Sequence, residues 1–216
     1  MNWSDIYRDE IERSGGSIAF VDKKAREKKV LLENVITYSS PGGRILEAGC
    51  GTGANSVYLA SLGYLVNAID NDDEMLKLSE DIASNFNKRP SFVKMDISQT
   101  VYADKTFDAV FSHGVLEHFK DQDIVNILNE QLRIGKHVIF SVPSDYFSEK
   151  DKMYGDERFM NNRQWKELLE GTDGNIVNNF GYHYEGFLRK VTATFPRLLL
   201  NHSPYIGFVI ESKKNL

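Results

Sequence analysis

The run Arg44–Gly53 constrains this chain more than any other. Ile45 and Leu46 are apolar and suit a buried strand. Gly49, Gly51 and Gly53 then stand at every second position, where they let the backbone turn sharply and come close to a ligand. The next run, Ala54 to Leu62, carries Val57, Leu59 and Leu62 among helix formers. It stops at Gly63, a suitable residue just past a helix end. Strand, glycine turn and helix form the first half of a nucleotide-binding β-α-β unit.

Charge then decides what such a turn can hold. Gly49, Gly51 and Ala54 satisfy the dinucleotide fingerprint G-x-G-x-x-G/A, which seats a pyrophosphate on a helix N-terminus. Glu47, two residues before the first glycine, would repel a pyrophosphate. It favours a ligand with positive charge and no phosphate, such as S-adenosylmethionine with its sulfonium and α-ammonium. No Gly-Lys-Ser/Thr follows the turn, so a phosphate-binding lysine loop is excluded. A nicotinamide-dependent oxidoreductase using the same turn is the rival within enzymes, and Glu47 is the feature against it. A binding protein of the same fold without turnover is the rival from another class.

The chain on either side is read by periodicity. Residues 1–38 read as two helical pieces, the first with Trp3, Ile6, Tyr7 and Ile11 at helical spacing and ended by Gly15-Gly16, the second from about Ala19 to Tyr38. Lys23, Lys24, Arg26, Lys28 and Lys29 crowd the second piece and read first as a solvated face, with a patch for an anionic substrate as the alternative. Ser39–Gly43 is the clearest linker, so residues 1–40 are expected to form a helical arm and 41–216 the main domain. Further strands are expected at Tyr64–Ile69, Ser91–Met95, Phe107–Ser112 and His137–Val142, with helices between them. Asn71, with Glu74 three residues on, has the form of a capping box, and Asp121 can cap the helix carrying Ile124, Ile127, Leu128 and Leu132. The alternation implies a parallel sheet with helices on both faces. Ligands of such sheets bind beyond the carboxyl ends of the strands, where strand order reverses.

Glu47-Ala48-Gly49-Cys50-Gly51-Thr52-Gly53 resembles the E/D-x-G-x-G-x-G signature of class I S-adenosylmethionine-dependent methyltransferases, and the resemblance covers roughly residues 40–145. It implies an α/β, Rossmann-like fold with a seven-stranded, mostly parallel sheet, and S-adenosylmethionine as cofactor. It assigns Asp70, at the end of the second strand, to the ribose hydroxyls. Asp96 would accept from the adenine amino group and the Ile97 backbone N–H would donate to the ring. Asn71 and Met75 could flank the adenine. Glu47 would act on the methionine end, or tie down its own loop, or both. Gly49, Cys50 and Gly51 would form the cofactor loop. Ser112-His113-Gly114-Val115-Leu116-Glu117-His118 resembles the stretch beside the sulfonium, with the carbonyls of Ser112 and His113 as receivers of the α-ammonium. His118 is the first candidate for a base, if the acceptor starts protonated, with His113 beside it and His183 a weaker one. The last two strands, at Gly174–Phe180 and Tyr205–Glu211, would pair antiparallel, and a helix is expected between them in 181–204.

Nine aromatic residues stand between 146 and 187: Tyr146, Phe147, Tyr154, Phe159, Trp165, Phe180, Tyr182, Tyr184 and Phe187. They are expected either to help cover a small, largely apolar or aromatic acceptor, within elements spanning 146–204, or to pack against the sheet as ordinary core. The acceptor's identity and the atom methylated are open. Acids outnumber bases 31 to 26, which argues against a nucleic-acid partner, and no Asn-Pro-Pro-Tyr or Asp-Pro-Pro-Tyr follows the fourth strand. No apolar run is long enough to span a bilayer, the N-terminus lacks signal-peptide character, and one cysteine permits no internal disulfide, so a cytoplasmic place is expected. The histidines and acids show no metal-ligand spacing, and no metal is expected.

Overall fold

A computed structural model describes residues 3–152, 155–182, 200 and 203–213. Three helices lead: α1 (Trp3–Arg13), α2 (Ser17–Glu27) and α3 (Lys29–Thr37). Then follow β1 (Arg44–Ala48), α4 (Ala54–Ser61), β2 (Leu65–Asp70), α5 (Asp73–Ala83), β3 (Ser91–Lys94), β4 (Phe107–His113), α6 (Asp121–Ile134) and β5 (Gly135–Pro143). The chain closes with α7 (Asn162–Leu169), β6 (Gly174–Tyr182) and β7 (Tyr205–Ser212). The seven strands form one sheet in the order β3-β2-β1-β4-β5-β7-β6. All neighbouring pairs from β3 to β5 are parallel, and β7 runs antiparallel to both β5 and β6. The seven strands and the antiparallel last pair agree with the expected fold.

Side chains of adjacent strand residues point to opposite faces, and both faces of the central strands are covered. Leu46, Val110, Val138 and Phe140 pack with Ile124, Ile127 and Trp165 of α6 and α7. Ile45, Ala109, Phe111 and Ile139 pack with Leu31, Leu32 and Val35 of α3. A third cluster joins Phe20 and Val21 of α2 to Val57 of α4 and Leu78 and Ile82 of α5, with Trp3, Tyr7 and Ile11 of α1 against it. No helix among the described residues is long and apolar enough to cross a membrane.

Several local expectations are corrected. The long helix expected from Ala19 to Tyr38 breaks at Lys28 (φ −105°, ψ 20°), a position that no glycine or proline marks. The crowded lysines are not a uniformly solvated face, since the Lys24 side chain is only 15% exposed and Lys28 is half-buried. Asp72, not Asn71, caps α5: its carboxylate accepts from the N–H groups of Glu74 (2.8 Å) and Met75 (3.2 Å). Asp121 lies inside the first turn of α6, makes no cap bond, and pairs with Arg158 at 2.5 Å. The helix expected within 181–204 falls mostly outside the described residues, as do Tyr154, His183, Tyr184 and Phe187.

Candidate active site

Strand order reverses between β1 and β4, and the first glycine turn stands there. The N–H groups of Gly49 and Cys50 both donate to the Ile69 carbonyl, at 2.9 and 3.0 Å, which pins the turn to the end of β2. Gly51 and Gly53 have left-handed backbones, with φ of 52° and 66°. A Cβ at Gly53 would fall 2.6 Å from Phe92 Cε1, whereas one at Gly51 would meet only Met75 Cε, at 3.9 Å. Gly53 is therefore fitted to packing, and Gly51 borders open space.

Glu47 is 2% exposed. Its carboxylate accepts from Asn55 Nδ2 (2.8 Å), the Ser56 N–H (3.0 Å) and Ser56 Oγ (2.5 Å), all in the first turn of α4. Burial pushes its pKa up to about 7 against the pull of those hydrogen bonds. Asp70 holds both sides of the site's mouth: Oδ2 accepts from the Gly51 N–H at 2.8 Å and Oδ1 from the Asp72 N–H at 3.1 Å. Asp96 sits at the exposed rim, where hydrogen bonds from the Ser98 hydroxyl and N–H lower its pKa. Burial, helped by Glu47 and Asp70, raises the Cys50 thiol well above its ordinary value, so it offers no thiolate.

These groups surround one cavity of about 380 Å³ at the carboxyl ends of the strands. Glu47, Gly49, Cys50, Gly51, Asp70, Asn71, Met75, Asp96, Ile97, His113 and His118 all line it. Ser112 does not; it is 1% exposed within β4. Trp3 and Tyr7 of α1, stacked at 5.9 Å, and Lys28 also line the cavity, and reading by residue did not single them out. The tryptophan and tyrosine carried only a helical period. The Lys28 ammonium makes no hydrogen bond or ion pair with another described residue, and burial lowers its pKa to about 8.

A second cavity, of about 490 Å³, adjoins the first and shares Trp3, Tyr7, Lys28, His113, Gly114 and His118 with it. His113 Nδ1 lies 2.9 Å from Ser141 Oγ and 3.1 Å from the Tyr182 hydroxyl. His118 Nδ1 lies 2.9 Å from Asp156 Oδ1. Of the aromatic residues expected to cover an acceptor, Phe147, Phe159 and Tyr182 line this second cavity. Three others do not. Tyr146 is 62% exposed, Trp165 is wholly buried against Phe140, and Phe180 packs in the core beneath the sheet. Among the described residues no group of three His, Cys, Asp or Glu could hold a metal ion.

The first cavity suits an adenosyl sulfonium compound. Apolar Met75, Met95 and Ile97 can flank a ring system, Asp70 and Asp96 can accept from hydroxyl and amino groups, and open space lies beside Gly51. Residues 46–138 match the sequence model of the methyltransferase domain family. The chain is 28% identical over 137 residues to the uncharacterized methyltransferase YodH of Bacillus subtilis, covering 60% of this chain and 59% of that protein. It is 38% identical over 109 residues to the putative methyltransferase YqeM of the same organism, covering 48% of this chain and 44% of that one. The chain thus spans about half the length of these curated relatives. Its backbone resembles the magnesium protoporphyrin IX methyltransferase of Synechocystis solved with bound SAH, with a TM-score of 0.66 and 16% identity over 91% of this chain and 86% of that one. Glycine turn, strand order and domain match agree: residues 46–138 are similar to the methyltransferase domain family, and the fold is that of S-adenosylmethionine-dependent methyltransferases.

Proposed function

We propose that this protein binds S-adenosylmethionine in the first cavity and methylates a small molecule held in the second. The carrying observation is that eleven residues read from sequence as cofactor or base positions line one cavity at the strand-order reversal. The cofactor supplies an activated methyl group on a good leaving group, so the protein's work is chiefly alignment. Positioning of that kind contributes up to ~7–11 kcal/mol of a barrier.

In this reading Asp70 holds the ribose hydroxyls while its bond to Gly51 keeps the turn in place. Asp96 and the Ile97 N–H read the adenine edge, between Asn71 and Met75. The His113 carbonyl, and not that of the buried Ser112, receives the α-ammonium. Lys28, a half-buried ammonium facing the same end as Glu47, meets the α-carboxylate. Glu47 acts mainly by fixing α4 behind the turn. His118 is the candidate base, because Asp156 engages Nδ1 and leaves Nε2 to take a proton. Residues 1–40 serve as an arm that roofs the site, residues 41–216 form the methyltransferase domain, and the cytoplasm is the place of action.

Calorimetry against S-adenosylmethionine, its demethylated product and NAD tests the cofactor. Binding of the first two and not NAD is expected; the reverse overturns the proposal. Incubation of a metabolite pool with labelled cofactor then identifies the acceptor. Label transfer into a polypeptide or nucleic acid alone would refute a small-molecule acceptor, and cofactor binding without any transfer would point to a binding protein.

A further inference from the structure

The second cavity contains a carboxyl group that the cofactor reading does not use. Glu117, in the short 3-10 turn Leu116–His118 after β4, is 4% exposed, and its Oε2 has no hydrogen-bond partner. It shares the cavity with Glu157 from the segment before α7, Tyr182 on β6 and Tyr205 on β7, and Asp156 adds a second negative charge nearby. Burial first, then its two acidic neighbours, raises its pKa to about 8. The positive groups of this cavity lie on the arm: Lys24 is bound to Glu10 at 2.8 Å, and Lys28 stands on the boundary with the first cavity. Four rings run in a chain beside Glu117. Phe159 lies 5.8 Å from Phe147, Phe147 lies 5.6 Å from Tyr205, and Tyr205 is stacked 5.5 Å from Tyr182.

The Glu117 carboxyl has a backbone hydrogen bond from its own residue but leaves Oε2 unpaired, and a buried oxygen in that state is costly, more so once the group ionises. An anionic acceptor would meet repulsion from Glu117 and Glu157. A neutral apolar acceptor would seal Oε2 of Glu117 in with no partner. An organic cation satisfies it, and aromatic faces attract the same charge. Building on the methyltransferase reading, we infer that the acceptor is a small primary or secondary amine that binds as its ammonium, with the nitrogen against the Glu117 carboxylate and the carbon frame among the rings. Binding at neutral pH then balances as ammonium plus carboxylic acid giving an ammonium–carboxylate pair and one free proton.

Benzylamine and its neutral counterpart benzyl alcohol serve as probes, titrated calorimetrically into the full chain at pH 7 with S-adenosylhomocysteine present, in two buffers of different ionisation heat. Benzylamine is expected to bind at least tenfold tighter than the alcohol and to release about one proton per site, from a carboxyl with pKa near 8. Glu117→Gln is expected to abolish both the preference and the proton release while S-adenosylhomocysteine still binds. Equal binding of the two probes, or proton release unchanged in Glu117→Gln, overturns the inference. If the variant does not fold, the comparison of the two probes on the native chain decides. Intact S-adenosylhomocysteine binding without amine preference removes this inference alone; no S-adenosylhomocysteine binding removes the methyltransferase proposal as well.

Discussion

Two glycines of one turn should fail in different ways when given a methyl group. Gly53→Ala forces a left-handed alanine (φ 66°), which costs about 1–2 kcal/mol. It also drives Cβ to 2.6 Å from Phe92 Cε1 and 2.9 Å from Ser79 Cβ, between α5 and β3. Overpacking of that kind adds roughly 1–3 kcal/mol. The sum, about 2–5 kcal/mol, corresponds to a fall in Tm of roughly 4–20 °C for a chain of this size. Gly51→Ala carries only the backbone cost, about 1–2 kcal/mol, because its Cβ would meet only Met75 Cε, at 3.9 Å. That methyl would, however, enter the wall of the first cavity. Urea denaturation should therefore rank Gly53→Ala as the less stable variant. Calorimetry on the folded fraction should rank Gly51→Ala as the weaker binder of S-adenosylhomocysteine. A Gly51→Ala protein that binds normally, or a Gly53→Ala protein as stable as the parent, would refute the division of labour between the two positions.

Further outcomes follow from the same groups. Asp70→Ala should weaken cofactor binding by about 1.5–3 kcal/mol, as for hydrogen bonds to a charged group, and normal affinity would leave Asp70 only a loop residue. Glu47 and Glu117 have folded pKa values of about 7 and about 8, above the ordinary 4.5, so the native state holds more protons between those values. These two carboxyls should make stability fall as pH rises from about 4.5 to about 8, above which Lys28, lowered to about 8, should make it rise again toward 10.5. Urea midpoints across pH check this, and Glu117→Gln should flatten the upper part of the fall. Methyl transfer should survive chelation by EDTA; loss restored by magnesium or zinc would reveal a metal requirement.

The turn and its flanking elements were legible because their signals are local. Glycine spacing, two apolar strand residues and a helix stop at Gly63 all lie within twenty residues. The five parallel strands were equally plain, since each is an apolar run bounded by turn residues. Placement across the fold was not legible. Asn71 and Asp72 are both good caps, and only the path leaving β2 selects Asp72. The break at Lys28 carries no glycine or proline, and the half-buried place of this lysine beside Trp3 and Tyr7 on the cavity wall depends on tertiary packing. Glu117 was read only as a member of the stretch beside the sulfonium and as lacking metal-ligand spacing, because the burial of its unpaired Oε2 depends on residues of β6, β7 and the segment before α7. Trp165 and Phe180 looked like an acceptor wall from composition, yet the amphipathic face of α7 and the inward face of β6 draw both into the core.

The chain has 2 tryptophans, and the fold places them in opposite circumstances. Trp165 is sealed beneath the sheet with no exposed surface. Trp3 stacks on Tyr7 and borders both cavities. The protein therefore carries its own optical reporter. Filling of either cavity should alter emission from Trp3 alone, while Trp165 supplies a constant internal reference. Because Trp3 sits where the two spaces meet, stopped-flow fluorescence with each ligand added first can give the order in which they load, without any attached label.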